Sequence, residues 1–112
     1  MSYLQPQSVI SPKNRWKLIG VVYDLGENNS SVAFGEWDED FCLTSRWNGS
    51  LDVERSNKGN PISNFQPTWF VLPKFIAMAT LKELLMLHAK GDQRVNHKIL
   101  LQAINALKSS VK

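Results

Sequence analysis

Seven residues, Pro67-Thr68-Trp69-Phe70-Val71-Leu72-Pro73, constrain this chain more than any other stretch. Four large apolar side chains follow one another, so an extended backbone here offers water a polar group on neither face. The two prolines disfavour helical backbone at Gln66 and Leu72. The run is therefore expected to be a short strand covered on both sides. The remaining segments must supply its sheet neighbours and its cover.

Three earlier segments read as strands. Trp16–Asp24 is apolar on both faces over its middle, and Ser31–Trp37 follows a turn, Leu25–Ser30, whose Gly and Asn residues tolerate positive φ. After the acidic turn Asp38-Glu39-Asp40, whose carboxylates should point into water, Phe41, Leu43 and Trp47 alternate with Cys42, Thr44 and Arg46. That alternation predicts a strand with one buried face. Asn48-Gly49 is a strong hairpin signal. A two-residue loop there would set Asp52 and Glu54 among the core aromatics. A three-residue loop, Asn48-Gly49-Ser50, pairs Trp47 with Leu51 and keeps Leu51 and Val53 on the apolar side, so burial selects it. The alternative is an exposed ligand face in which Trp47 and Phe41 lie beside Asp52 and Glu54. Residues 56–66 form the longest stretch without periodicity, and a loop of that length is the first choice for a binding element.

Beyond Pro73, Lys74–Ala79 is ambiguous, with a helical turn as one reading. Thr80-Leu81-Lys82-Glu83 fits a capping box, from which a helix should run to Lys90 and stop at Gly91. Asp92 is expected to cap a second helix. There Val95, Ile99, Leu100, Ala103, Ile104, Ala106, Leu107 and Val111 share one half, and Arg94, Lys98, Lys108 and Lys112 fall on an arc of roughly 80° on the other. The expected fold is α+β: a mostly antiparallel sheet of about five strands with two C-terminal helices packed on one face. Residues 1–14 are read as a tail that can dock an extended segment, and 15–112 as a single domain.

With 112 residues, 43% of them hydrophobic, the chain can bury a core without metals or cross-links. The single Cys42 cannot form an internal disulfide and fits a reducing cytoplasm. Met1–Asn14 has neither the basic start nor the apolar run of a secretory signal, and no apolar run reaches membrane-spanning length, so no membrane association is expected. Residues 1–73 carry six Lys and Arg against eight carboxylates, whereas residues 74–112 carry seven against two. The molecule should therefore have an acidic and a basic pole.

Catalytic chemistry is not apparent. His88 and His97 match no metal-ligand spacing and read as helix-surface histidines; Cys42 lacks a neighbouring base or redox partner and reads as core. The carboxylates Glu36, Asp38, Glu39 and Asp40 read as a solvated turn. Gly59–Ser63 lacks the Gly-Lys-Ser/Thr ending of a phosphate loop, and the helix-turn-helix pattern fails because Lys90 and Asp92 occupy apolar positions. No cofactor or metal is expected.

Four tryptophans, Trp16, Trp37, Trp47 and Trp69, are many for this length, and tryptophan is enriched in pockets and interfaces. The expectation is a small non-enzymatic binding or regulatory module. Trp37, Trp47 and Arg46 on a sheet face, with Asn60, Ser63 and Phe65 of the loop, would take a protein partner or small ligand, and a homodimer would use the same surface. The alternative is nucleic-acid binding through Arg94, Lys98, Lys108 and Lys112. A third reading is a small enzyme joining His88 or His97 to Cys42 or a carboxylate of the 36–40 turn.

Overall fold

The structure, a computed structural model, describes residues 5–50, 58–63 and 66–109. Its centre is a four-stranded antiparallel sheet, ordered β1 (Trp16–Asp24), β2 (Ser30–Trp37), β3 (Asp40–Trp47) and β6 (Phe70–Val71). A two-stranded ribbon, β4 (Ile62–Ser63) with β5 (Gln66–Pro67), lies outside it. Two helices, α1 (Lys74–Ala89) and α2 (His97–Lys108), complete the expected α+β architecture. The long strands form where β-branched and aromatic residues concentrate. Bulges between Leu18 and Gly20 and between Val21 and Tyr23 break the ladder of β1.

The β2–β3 hairpin turns on Asp38 and Glu39, which take φ values of 52° and 73° so that Trp37 pairs with Asp40. Positive φ at both central residues is the turn that matches strand twist, and here non-glycine residues supply it. The Asn48-Gly49 hairpin expected from the sequence is corrected. Trp47 commits its backbone N–H and C=O to Asn60, each bond 2.9 Å, which excludes the Trp47–Leu51 pair. Leu51, Val53, Asp52 and Glu54 lie outside the described residues. Asn48 instead turns inward. Its side chain accepts from Ser31 Oγ at 2.6 Å and donates to Asp24 Oδ1 and the Gly26 carbonyl, tying the β1–β2 turn to the end of β3.

The stretch from Pro67 to Pro73 is corrected too. Only Phe70 and Val71 join the main sheet, at its edge beside β3, and Phe70 is 59% exposed while Trp69 is 2% exposed. Apolar composition alone did not reveal that Trp69 and Phe70 go to opposite faces and that only one of those faces is covered there. The α1 helix begins at Lys74, just after Pro73 and earlier than the capping box suggested, and the Thr80 hydroxyl bonds back to the Ile76 carbonyl within the helix. Gly91, at φ 97°, ends that helical segment as expected. Asp92 does not cap α2. Its carboxylate receives the Arg94 N–H, and Asn96 caps α2 by accepting from the Ile99 N–H.

The helices cover one face through Val22, Phe34, Leu43, Leu81, Leu84, Leu100, Ala103 and Leu107. Burying each such leucine or phenylalanine contributes roughly 1.5–3 kcal/mol. The opposite face is closed by chain lacking long helices or strands. Val9, Trp16, Ala33 and Trp69 form its core, with Trp37, Leu18 and Cys42 at the margin. Residues of the N-terminal segment, Val9 and Ser11, dock there. Trp69 Nε1 donates to the Val9 carbonyl at 2.7 Å, and Thr68 Oγ1 to the Ser11 carbonyl at 2.8 Å. Gly35 permits this packing, because a Cβ there would lie 2.5 Å from the Trp16 ring.

Candidate functional site: an open groove on the helix side of the sheet

Phe34 pairs with Leu43 on the helix-covered face, so Val32 with Ser45 and Ser30 with Trp47 continue that face along the strands. Ser45 pairs in turn with Phe70 on β6. This half of the face forms two adjoining depressions that share Ser30. One, of about 510 Å³, lies between Tyr23, Leu25 and Val32 of the sheet end and Phe75, Ile76, Ala79 and Leu87 of α1. The other, of about 640 Å³, runs between Ser45 and Trp47, the Asn60–Ile62 segment, and Phe70 and Leu72. Together they make a groove with a helix for one wall and a loop for the other.

Its rim is apolar and wet. Phe75 is 76% exposed, Phe70 59% and Ile62 47%. The cause is visible in α1, where Ala77, Leu81 and Leu84 bury one side while Phe75, Ile76, Ala79 and Met86 recur on the other at helical spacing. A helix apolar all round belongs in an interior, and here one side has no cover among the described residues. Glu83 is the charged side chain that α1 adds to the groove wall.

The structure brings together part of the expected site. Trp47 and Asn60 meet in the groove through their paired backbones. Arg46 is reached by the same groove, but strand alternation sends its side chain through to the tryptophan face. There it is 3% exposed, donates to the Thr68 and Lys58 carbonyls, and lies 6.0 Å from the Trp69 ring centre. Burial pulls its pKa down to about 10, so it remains a cation at neutral pH. No carboxylate pairs with it among the described residues, and its Nε has no hydrogen-bond partner there. The carbonyl bonds and the indole face offset that desolvation, which makes Arg46 a clamp on the loop. Gly59 lies so close over this clamp that a Cβ would overlap the guanidinium and the Trp47 carbonyl. Ser63 is exposed on β4 beyond the groove, Trp37 sits at the other end of the sheet against Trp16, and Phe65 lies outside the described residues. Sequence reasoning missed Phe70, Phe75, Ile76 and Ala79. The signal was available in the absence of a polar side to residues 74–89.

Elsewhere, the basic arc is reduced. Arg94 is held by Asp92 through two side-chain bonds of 3.0 Å and lies 5.6 Å from the Tyr23 ring centre. Arg94 and the Tyr23 hydroxyl together hold the Asp92 carboxyl well below the usual carboxylate range. Lys98 and Lys108 remain exposed on α2 with Leu101 between them, and Lys112 lies outside the described residues. His88 and His97 stack on each other where the helices meet, 4.0 Å between ring centres and 7° from parallel. Cys42 lines a cavity shared with Leu107 and Ser109, ten or more residues along α2 from His97, a rise of about 15 Å. Burial pushes its thiol up to about 11, away from the nucleophilic thiolate. Among the described residues no three metal-ligating side chains converge, and no helix is long and apolar enough to cross a membrane. No protein-family model matches the chain, and comparison with curated proteins and with solved structures gives no significant match.

Proposed function

We propose that the chain is a small non-enzymatic binding module whose groove, between α1 and the Asn60–Ile62 segment, takes an apolar segment of a partner protein. Two adjoining depressions rimmed by the exposed rings of Phe70 and Phe75 carry this reading, since exposed apolar surface of this kind marks interaction sites. The depressions meet at Ser30 and open to solvent, which suits a polypeptide segment laid across both. A second copy of the chain would occupy the same surface in a homodimer. The single cysteine, held as an unreactive thiol, fits a cytoplasmic module.

Site-specific photocrosslinking in cells tests this. A photoreactive side chain at Ala79, inside the groove, should give a discrete adduct that a Phe75→Ser background removes, whereas the same group at Lys98 should give none. Equal adducts at both positions, or none at Ala79, would sink the reading. An adduct of twice the chain's mass identifies the homodimer.

A further inference from the structure

The sequence holds one Asn-Gly pair, Asn48-Gly49. Glycine has no side chain to hinder its backbone nitrogen, so in an open chain that nitrogen can attack the Cγ of the preceding asparagine. A carbon–nitrogen bond forms, the side-chain nitrogen leaves as ammonia, and the glycine amide proton passes to solvent. Water then opens the five-membered imide at either carbonyl, leaving an aspartyl or an isoaspartyl linkage at position 48. The reaction consumes nothing but water, and it requires Asn48 to be free to turn toward its own backbone.

In the fold Asn48 has no such freedom. Its side chain is fully buried and makes three hydrogen bonds, accepting from Ser31 Oγ and donating to Asp24 Oδ1 and to the Gly26 carbonyl. The backbone is held as well, since the Asn48 N–H donates to the Asn29 carbonyl and the Gly49 carbonyl accepts from the Asn28 N–H, both at 2.8 Å. Gly59 covers the same peptide so closely that a Cβ there would lie 2.8 Å from the Asn48 carbonyl carbon. Attack on Cγ would have to break the carboxamide's bonds and lift the covering chain first.

We propose that Asn48-Gly49 is a deamidation site shielded by this turn, and that any opening which exposes it converts the chain in one direction only. The carboxylate produced has no donor for Asp24 or for the Gly26 carbonyl. It would stand beside a carboxylate that already accepts from the Gly26 N–H, in a place from which Asn48 is screened from water. The product therefore cannot close the turn that protected its precursor, and a molecule that has once opened there is marked by its own chemistry.

The test holds the full chain at neutral pH and body temperature, with and without guanidinium chloride, and follows the tryptic peptide of residues 47–55 by mass. Conversion in the folded chain should be about a hundredfold slower than in the unfolded one, because it waits on an opening. Ser31→Ala removes one bond of the clamp and should raise the folded-state rate about tenfold. Leu100→Val, comparable in its cost to unfolding but remote from the turn, should raise it less than about twofold. Asn48→Asp, which places the product's side chain directly, should lower the ratio of folded to unfolded chain about tenfold further than Asn48→Ala does. Similar rates in the folded and unfolded chain, equal effects of Ser31→Ala and Leu100→Val, or an Asn48→Asp chain at least as stable as Asn48→Ala would overturn the proposal.

Discussion

On one face of the sheet Val22, Phe34 and Leu43 meet two helices through hydrocarbon alone, whereas on the other Trp16, Ala33 and Trp69 meet irregular chain tied down by hydrogen bonds. The helices bring their own backbone bonding, so they need only apolar contact with the sheet, and the part of that face around Ser30, Val32 and Ser45 stays open as the groove. The irregular segments must find partners for their backbone groups. Arg46, Thr68 and the Trp69 indole provide several, and the result follows the sheet closely. The face closed by less regular chain is thus the better sealed one, and the face closed by regular helices is the one with room for a partner.

The contrast can be broken or sharpened by substitution. Leu100→Ala, on the helix face where the side chain is fully buried, should cost about 3–4 kcal/mol in urea unfolding, because it removes contacts and leaves a void. Arg46→Ala should cost about 2–3 kcal/mol, since the Thr68 and Lys58 carbonyls lose their donors. It should also redden tryptophan emission as water reaches Trp69; a stability loss under about 1 kcal/mol would mean that the loop closes this face without its clamp. Asn48→Ala, which strands the buried Ser31 hydroxyl and leaves the Gly26 carbonyl with the Asn29 N–H alone, should cost about 2 kcal/mol. In the open half, Phe75→Ser should change stability by less than about 0.5 kcal/mol while abolishing partner crosslinking. The smallest effect concerns pH. The Asp92 carboxyl is held below its ordinary value, so its contribution is present above about pH 4 and lost as pH falls toward its folded value. Asp92→Asn should therefore flatten the acid limb of a stability curve between about pH 4 and pH 2, and an unchanged slope would exclude the Arg94 and Tyr23 contacts as the cause.

Much of the fold was legible because its signals are local. The β1 strand was predicted at its observed bounds, and β2 and β3 within a residue, from composition and alternation that need no knowledge of the rest of the chain. The errors arose where a distant partner decides. Asn48-Gly49 has hairpin chemistry, but Asn60 takes both backbone groups of Trp47, and no short-range pattern reports that. Trp69 and Phe70 are equally apolar, yet one finds the Val9 segment and the other finds solvent. The groove was half legible. Trp47 and Asn60 were expected in it, while the α1 contribution was not legible because the capping-box pattern Thr80–Glu83 lies a turn and a half inside a helix that starts at Lys74.

Three of the four tryptophans lie in one row, Trp16 5.9 Å from Trp37 and 6.4 Å from Trp69 between ring centres. Indoles this close share excitation, so near-ultraviolet circular dichroism should show a coupled band that vanishes on unfolding, and their emission should behave as one unit. Trp47 stands outside that row, in the groove, and a chain keeping it as the sole fluorophore would turn occupancy of the groove into a change in colour.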